Sequence, residues 1–501
     1  MRYLPDGTQM KAADTETIEH TGIPSLVLME RAALQVVAVM EERGVDTSRA
    51  LVVCGSGNNG GDGFAVARLL AEKGRKADLL FVGKETSMSG ECNVQKRIAE
   101  NLGIPIFTEF PEKPYSVVID AVFGVGLCRE ITGSYRDVIG KMNQMDAYKV
   151  AVDIPSGICS ATGKVLGTAF RADLTVSMEC EKIGCALFPG KEYAGDVVPV
   201  PIGIGTGLFD REEKICFTYE KKDLPELLPE RKQNSHKGSF GKVLMVTGSK
   251  GMAGAAFLAA KAAYTVGAGL VQIYTHEENR ISLQQLLPEA IVSCYETFDE
   301  EQLKRLLAWS DVVCVGCGLG TGETSRHLLE GVLEHMQTPC VIDADGLNLL
   351  SRQPGLLRQI KTPVILTPHM MEMSRLTGLG IEEIAEERMD VLDKFTEDYP
   401  VVCVLKDSRT VVSGKGRKKF VNLAGNSAMA KAGSGDVLAG VITGFMAQKM
   451  PAYESAALGV YVHACGGDEA RECMGGYSVL AGDLIRGIGT CMKKAEEMKQ
   501  K

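Results

Sequence analysis

Short apolar runs recur along the chain, and each is followed at once by a glycine-rich turn or a polar residue. Residues 50–54 precede the glycine-rich residues 55–63, and residues 149–152 precede Asp153. In the second half, residues 364–366 precede Thr367 and His369. Apolar runs of this length, separated by helical segments, predict buried parallel strands whose carboxyl ends meet at one edge of a sheet. The chain is therefore predicted to be an α/β protein.

The pattern of strands and helices is interrupted once, between residues 210 and 237. This segment is charged, contains Pro225 and Pro229, and has no long apolar run. A chain of 501 residues is also longer than one ordinary core supports. We therefore predict two domains, residues 1–217 and 218–501.

Composition excludes several classes of partner. The formal net charge of −9 argues against nucleic acid or an anionic membrane surface as a general partner. No run is long enough to cross a bilayer, and residues 1–7 lack the apolar stretch of a signal peptide, so we expect a cytoplasmic protein. The 15 cysteines lie mostly in apolar runs and are interpreted as reduced core thiols. Cys314 and Cys317 form a Cys-x-x-Cys pair, but it closes a strand and has no second pair, so we interpret it as neither zinc-binding nor redox-active.

The first half contains a candidate phosphate loop at residues 55–63, between a strand and a helix predicted to start at Phe64. Gly55, Gly57 and Gly60 also satisfy the G-x-G-x-x-G pattern. An ordinary dinucleotide fingerprint enters its helix sooner and has an acid at the end of the second strand, where Glu85 is a poor candidate. The pattern alone is therefore weak.

Several polar residues of the first half follow strand ends and are predicted to line one crevice. They are Asn58, Asn59, Asp120, Asp153 and Ser156. Oxygen ligands of this kind suit a hard cation rather than a transition metal. Each of these residues is also common as a cap or turn residue, which is the alternative interpretation.

In the second half, the most informative segment is Gly433-Ser434-Gly435-Asp436, which precedes an apolar helical run. Glycines allow backbone N–H groups to approach an anion, and the positive end of the following helix favours it. A carboxylate at such a place suits a base beside a phosphoryl group. The alternative is an acid that merely stabilises the first helical turn.

Other polar residues follow the neighbouring predicted strands of the second half. They are Asp343, Asp345, His369 and Lys406. Taken singly, the acids are helix caps, the histidine is a hydrogen-bonded structural residue and the lysine is a solvated surface residue. Together with Asp436 they form a kinase-like set in a chain that lacks a G-x-x-x-x-G-K-[ST] loop, which excludes the P-loop class.

Both halves resemble known families. Gly433-Ser434-Gly435-Asp436 resembles the motif of the ribokinase-like superfamily. Within it, the second half resembles the ADP/ATP-dependent NAD(P)H-hydrate dehydratases through residues 237–241, 343–346, 367–369 and 422–426, with Glu372 and Lys406. The first half resembles the NAD(P)H-hydrate epimerases through residues 57–63, Asp120, residues 124–133 and residues 153–157. The resemblance implies a Rossmann-like three-layer domain followed by a ribokinase-like α/β domain, in the order of bifunctional bacterial repair enzymes.

The resemblance also implies an activity. NADH and NADPH hydrated at the nicotinamide ring exist as two epimers. The first domain would interconvert the R and S forms, and the second would dehydrate the S form with ADP as phosphoryl donor, giving AMP and phosphate. The implied cofactors are magnesium with the nucleotide and potassium in the epimerase site. We also expect a homo-oligomer.

Matching of positions implies the roles of individual residues in the dehydratase half. Asp436 would be the catalytic base. The hydrate would contact Ala253, Gly318, His369 and Asp436. The nucleotide would be held by Lys406, Asp407, Ser408, Arg409, Thr410, Gly433, Ser434 and Gly435. The sequence reads Met370-Met371 where many dehydratases have Pro-Gly.

In the epimerase half, Asp153 is the implied acid/base. The hydrate would contact Asn58, Asn59, Gly60, Gly61, Asp62, Gly124, Val125, Gly126, Leu127, Cys128, Arg129, Glu130 and Asp153. Potassium would be bound by Asn59, Asp120 and Ser156. Some epimerases have a lysine where this chain reads Cys128-Arg129-Glu130, so a lysine-assisted step is not implied for this loop.

Two other functions remain open on the sequence. A small-molecule kinase acting on a hydroxymethylpyrimidine or a sugar would yield a stable phosphorylated product. In a non-enzymatic role, the first domain would act as a nucleotide-binding scaffold.

Overall fold

The computed structural model describes residues 1–499 and divides into two compact units. One unit is Arg2–Phe217, and the other begins at Thr218 and includes Met1. Each unit is an α/β structure with its own sheet.

The sheet of the first unit is parallel throughout and has the order β4-β3-β2-β5-β6-β7-β8. The strands up to the unit boundary are β1 (Arg2–Leu4), β2 (Arg49–Cys54), β3 (Lys76–Phe81), β4 (Ile106–Phe107), β5 (Val117–Ala121), β6 (Tyr148–Val152), β7 (Leu174–Met178), β8 (Asp196–Val200) and β9 (Cys216–Thr218). The chain direction across the sheet reverses between β2 and β5, which is where α/β sheets bind ligands.

Helices cover both faces of this sheet. Alternate residues of β2 accordingly pack in two different hydrophobic clusters. Val52 packs in one cluster with Phe64, whereas Leu51 and Val53 pack in another with Ile139. The helices of the first unit are α1 (Gly7–Glu16), α2 (Ser25–Glu42), α3 (Asn58–Glu72), α4 (Gly90–Asn101), α5 (Ser134–Gln144), α6 (Ile183–Ala186) and α7 (Gly190–Ala194). The predicted three-layer arrangement is confirmed.

Helix α3 begins at Asn58, six residues before the start predicted from the sequence at Phe64. The glycines at positions 60 and 61 have low helix propensity, and this led to the wrong prediction of a long loop. Close packing explains their presence: a Cβ on Gly60 would lie 2.0 Å from the carbonyl oxygen of Gly55. The length of the loop is therefore no argument against a dinucleotide fingerprint. The second argument still holds, because the exposed Glu85 forms an ion pair with Lys96.

In the second unit, the sheet runs in the order β18-β17-β16-β15-β14-β13-β10-β11-β12. The strands are β10 (Lys242–Val246), β11 (Leu270–His276), β12 (Ile291–Tyr295), β13 (Val312–Val315), β14 (Cys340–Ile342), β15 (Val364–Leu366), β16 (Val401–Leu405), β17 (Val411–Ser413) and β18 (Lys419–Val421). Strands β10 to β16 pair in parallel, so their carboxyl ends share one edge. Strands β16, β17 and β18 pair antiparallel and so end the parallel part of the sheet.

The helices of the second unit are α8 (Leu224–Leu227), α9 (Ala253–Thr265), α10 (Arg280–Leu286), α11 (Glu300–Trp309), α12 (Glu323–His335), α13 (Asp345–Leu350), α14 (Met370–Thr377), α15 (Ile381–Glu386), α16 (Arg388–Asp398), α17 (Ser434–Ala447), α18 (Ala452–Ser478) and α19 (Ala481–Lys499). Two of these helices, α9 and α17, approach each other very closely. A Cβ on Gly440 of α17 would lie 2.1 Å from the carbonyl oxygen of Ala259 in α9. The small residues of α9 thus allow α17 to pack against it and to point its amino end at the carboxyl edge of the sheet. Among the described residues, no helix is long and apolar enough to span a membrane.

Candidate active sites

The first unit has a cavity of about 800 Å³ at the carboxyl ends of its strands. The predicted substrate-binding residues that line it are Asn58, Asn59, Asp62, Gly124, Val125, Gly126, Leu127, Cys128, Arg129 and Asp153. A cavity of this size accommodates a nucleotide-sized ligand. The structure therefore brings together most of the first-unit residues that the sequence singled out.

Three predicted substrate-binding residues do not line the cavity. Gly60 and Gly61 are buried in α3, where a Cβ on Gly61 would lie 2.6 Å from Cε of Met29. Glu130 is exposed beyond the cavity. Gly60 and Gly61 allow α3 to pack closely. The glycine-rich pattern of residues 55–63 therefore reflects close packing at these two positions.

Asp120 and Ser156 lie next to each other and are fully buried rather than exposed to the cavity. The Ser156 hydroxyl and backbone N–H each donate to the Asp120 carboxylate at 2.7 Å. Burial raises the pKa of Asp120 to about 6, against the opposing effect of these hydrogen bonds. The pair provides a carboxylate and a hydroxyl oxygen at a dry position.

The third predicted potassium ligand, Asn59, has a side-chain nitrogen that is buried without a hydrogen-bond partner among the described residues. A Cβ on Gly124 would lie 3.7 Å from the Asn59 side-chain oxygen. The amide could present either oxygen or nitrogen to a neighbour, since its two orientations have the same shape. Together with Asp120 and Ser156 this oxygen-rich set fits a hard cation rather than a transition metal.

Asp153 follows β6 and has a left-handed backbone conformation, with φ of 70°. Such a conformation is uncommon for a residue with a side chain and costs free energy, and it aims the carboxylate into the cavity. The Asp153 carboxylate forms an ion pair with Lys182, whose side chain is only 1% exposed. Lys182 was not predicted from the sequence. It lies shortly after β7, and a polar residue at or shortly after a strand end is the same signal that identified Asp120 and Asp153.

A second carboxyl group, that of Asp62, lines the same cavity. Burial, followed by the charges of Asp153 and Asp14, raises the pKa of Asp62 well above its usual value, although Lys182 opposes this. The cavity therefore contains one carboxyl paired with a lysine and a second whose surroundings favour its protonated form.

In the second unit, the strand ends meet at Asp343, which is buried at the end of β14. Lys406, at the end of β16, donates a hydrogen bond of 2.7 Å to Oδ1 of Asp343, and the Thr367 hydroxyl donates to the same atom at 2.6 Å. The predicted convergence of Asp343 and Lys406 is thus observed. Asp345 turns instead toward Gly320 and accepts its backbone N–H at 2.7 Å.

Asp436 lies in the first turn of α17, next to this cluster. Gly433 precedes the helix with φ of 88°, and a Cβ on Gly435 would lie 3.6 Å from Nζ of Lys406. Burial and the nearby charge of Asp343 raise the pKa of Asp436 to about 6. A carboxyl with such a pKa, beside the amino end of a helix and a lysine, can accept a proton near neutral pH.

Cys317 is a further member of this cluster that sequence reasoning did not identify. Its Sγ lies 3.7 Å from Oδ2 of Asp343, and the ligand atoms of Cys317, Asp343 and Asp436 all lie within 4.8 Å of one another. Cys314 is a buried strand residue, as predicted for the pair. Cys317 follows the end of β13. The rule that residues after strand ends lie at the site, which identified the other polar residues, could have identified Cys317 as well.

His369 acts as the cap of α14. Its Nδ1 accepts from the backbone N–H groups of Met371 and Glu372, at 3.1 and 3.2 Å, and its Nε2 lies 3.3 Å from Oε1 of Glu372. Burial raises the pKa of Glu372 to about 7 and lowers that of His369. His369 therefore is a hydrogen-bonded structural residue, which was the alternative interpretation of its sequence position. Its ring is half exposed and lies beside Lys406.

The predicted nucleotide-binding residues fall into two groups. Residues 407–410 form the turn between β16 and β17, where Asp407 accepts from Arg388 at 2.6 Å and its carbonyl accepts from the Thr410 hydroxyl at 3.1 Å. Residues 433–435 form the amino end of α17, where the Ser434 hydroxyl lies 3.4 Å from Nε2 of His463. Burial lowers the pKa of His463 to about 4, so this histidine is neutral. Lys406 is at the start of the turn and reaches Asp343.

The predicted hydrate contacts Ala253 and Gly318 lie on the other side of the cluster. Ala253 is the first residue of α9. Gly318 has φ of 58°, and a Cβ there would lie 2.7 Å from the side chain of Ala255. Glycine at position 318 therefore permits the start of α9 to approach the end of β13.

Family models match both halves of the chain. A model described as NAD(P)H-hydrate dehydratase matches residues 243–489, and one described as YjeF-related protein N-terminus matches residues 25–184. These spans fall in the second and first units respectively.

Curated relatives match the chain over nearly its whole length. A bifunctional NAD(P)H-hydrate repair enzyme of Coxiella burnetii is 35% identical over 97% of this chain and 98% of its own. The enzyme of the same name from Moorella thermoacetica is 33% identical over 99% of this chain and 97% of its own. Among solved structures, a ribokinase-like superfamily protein from Enterococcus faecalis has a TM-score of 0.52 and 32% identity, covering 56% of this chain and 96% of that one.

Proposed function

The chain belongs to the family of bifunctional NAD(P)H-hydrate repair enzymes, and on that premise we propose that it restores hydrated NADH and NADPH in two steps. The domain of residues 1–217 interconverts the R and S epimers of the hydrate. The domain of residues 218–501 dehydrates the S epimer and converts ADP to AMP and phosphate. Both steps take place in the cytoplasm, in a homo-oligomer.

The observation that carries the dehydratase assignment is the position of Asp436 at the amino end of α17, beside Lys406 and Asp343. Asp436 accepts the proton of the hydrate hydroxyl while the oxygen attacks the terminal phosphorus of ADP. The backbone N–H groups of Gly433 and Gly435 and the Lys406 ammonium stabilise the charge on the transferred phosphoryl group. Phosphorylation makes the hydroxyl a good leaving group, and loss of phosphate with a ring proton restores the double bond.

Magnesium is the implied partner of the nucleotide phosphates. The donor atoms near Asp436 fit it in part, because Asp343 offers a hard oxygen atom whereas Cys317 offers a soft sulfur atom. Asp343 is the residue that would share magnesium with the phosphates, and the ion would there neutralise phosphate charge.

In the epimerase domain, epimerisation requires opening and reclosure of the ring at the hydroxyl-bearing carbon. Asp153 accepts the hydroxyl proton as the ring C–N bond breaks, and a second acid supplies a proton to the departing nitrogen. Asp62 is the carboxyl whose raised pKa suits it to hold that proton. Asp120, Ser156 and Asn59 would hold potassium, which would help to fix the loops around the cavity.

The experiment that tests this function supplies a mixture of hydrated NADH epimers with ADP and magnesium. Repair predicts that free phosphate appears together with the absorbance of reduced nicotinamide. Complete consumption of both epimers shows that exchange accompanies dehydration. Parallel reactions with ATP and with hydrated NADPH determine the donor and the preferred hydrate.

Two outcomes would support the alternatives. A stable phosphorylated product without recovered absorbance would indicate a small-molecule kinase. Nucleotide binding without turnover of either epimer would indicate a scaffold.

A further inference from the structure

Lys182 is a charged residue whose side chain is almost completely inaccessible, at 1% exposure. It follows β7 and immediately precedes α6. A buried lysine is stable only where oxygen atoms surround its ammonium group. Its surroundings therefore indicate what the residue does.

Three oxygen atoms surround the Lys182 ammonium group. It forms an ion pair with Oδ1 of Asp153, and it donates to the carbonyl of Met178 at 2.8 Å and to the hydroxyl of Ser177 at 3.2 Å. All three hydrogens of the ammonium group thus have partners. Lys182 reaches the edge of the cavity without an N–H left for a substrate.

Asp153 is held by the same segment at several atoms. The Met178 N–H donates to Oδ1 of Asp153 at 3.0 Å, and the Ser177 hydroxyl donates to the Asp153 carbonyl at 3.0 Å. The Asp153 N–H donates to the Val176 carbonyl at 2.8 Å. These bonds keep the residue in its left-handed conformation, which has an intrinsic cost.

The two carboxylate oxygens of Asp153 are consequently unlike. Both side-chain hydrogen bonds reach Oδ1, whereas Oδ2 accepts no hydrogen bond from the described residues. Because Asp153 lines the cavity, Oδ2 is the atom available to a bound ligand.

Several other charged groups line the same cavity as Asp153. Asp62 lies on α3, Asp14 and Lys11 lie on α1, and Arg129 lies in the loop after β5. Among the described carboxyls of the cavity, Asp153 is the one with which Lys182 forms an ion pair.

We propose that Lys182 is the positioning residue of the epimerase site, which fixes Oδ1 of Asp153 so that Oδ2 accepts the substrate proton. Lys182 acts through Asp153 and does not touch the substrate. The proposal rests on the epimerase activity proposed for the first domain.

The test measures exchange between purified R and S hydrates by the full-length protein without any nucleotide, so that the dehydratase is silent. The variants are Lys182→Met, Lys182→Arg, Lys182→Ala and Asp153→Asn. Lys191→Met is the matched control, because Lys191 donates to the Gly195 carbonyl at 2.7 Å and does not line the cavity.

Loss of the positioning cation should lower kcat of Lys182→Met by about 100-fold or more while KM changes by less than about threefold. Lys182→Arg should retain more activity than Lys182→Met, and ethylamine should restore part of the activity of Lys182→Ala. Lys191→Met should behave as the wild type.

Other results would overturn the proposal. A Lys182→Met variant with unchanged kcat and a raised KM would show that Lys182 binds substrate instead. Equal losses in all three Lys182 variants, without rescue by ethylamine and with a lower melting temperature, would show a purely structural role. If the wild type exchanges the epimers and Asp153→Asn does not, full activity of Lys182→Met contradicts this inference alone. Absence of exchange in the wild type contradicts the epimerase function as well.

Discussion

The thiol of Cys317 lies 3.7 Å from Oδ2 of Asp343, at the point where β13 and β14 deliver their carboxyl ends to the candidate dehydratase site. The hydrogen bond with Cys314 and burial raise the pKa of Cys317 well above its usual value, so the residue remains a thiol. A protonated thiol is a donor, and the Cys317 thiol within 4.8 Å of the Asp436 carboxyl counteracts the burial that raises the pKa of that carboxyl. Cys317 thus belongs to the surroundings that tune the proposed base.

Asp436→Asn should abolish dehydratase turnover while leaving ADP binding largely intact. The amide has the shape of the carboxylate but cannot accept the hydroxyl proton, and loss of a general base costs about 10²–10⁴-fold in rate. Steady-state turnover and calorimetric ADP binding measure the two properties. Asp299→Asn is the matched control, because Asp299 caps α11 and asparagine caps helices equally well. Loss of ADP binding in Asp436→Asn would indicate a structural role instead.

Dehydratase activity should fall as the pH decreases below about 6. The pKa of Asp436 is raised to about 6, and a base works only when it is ionised, so its active fraction is lost below that pH. The measurement is kcat/KM between pH 5 and 8 in buffers of constant ionic strength. An activity that stays constant down to pH 5 would contradict the role of Asp436 as the base.

Cys317→Ala should move this acidic limb to higher pH. The substitution removes a donor group that lies within 4.8 Å of the Asp436 carboxyl and lowers the pKa of that carboxyl. Turnover at saturating substrate should therefore fall most at pH 6 and little at pH 8. Cys403→Ala is the control, since Cys403 is an equally buried thiol inside β16. The same profile in both variants would exclude an effect of Cys317 on the base.

Potassium should stabilise the first domain, because a ligand that binds only the folded state raises its stability. At 100 times its Kd the gain is about 2.7 kcal/mol. Melting curves in potassium chloride and in choline chloride at equal ionic strength measure it. Asp120→Asn should remove the difference between the two salts, since it replaces the buried carboxylate. An undiminished difference in Asp120→Asn would place the ion elsewhere.

Gly440→Ala should destabilise the second unit by about 1–3 kcal/mol, the usual cost of inserting a methyl group into a filled contact. The new Cβ would lie 2.1 Å from the Ala259 carbonyl oxygen, so α17 and α9 would have to separate. Gly482→Ala is the control, because Gly482 lies in α19 with open space around it and alanine favours a helix. Denaturant unfolding of the two variants measures the difference. Equal stabilities would show that α17 can shift without cost.

The α/β class and the polar residues at the strand ends could be predicted from the amino-acid pattern alone. Parallel strands bring their carboxyl ends to one edge regardless of the details of packing, which is why Asp343 and Lys406 were expected near Asp436. The motif of residues 433–436 could also be interpreted from local sequence, because glycines beside a helix start form an anion site without distant partners.

Which of these residues touch depends on the three-dimensional packing of the chain. The start of α3 at Asn58 depends on how closely α3 packs on Gly55 and Met29, and these contacts outweigh the low helix propensity of two glycines. Lys182 meets Asp153 across 29 residues, and Cys317 meets Asp343 across 26. Such pairs follow from the order and register of neighbouring strands, which arise from the packing of the whole core and leave no periodic trace in the chain.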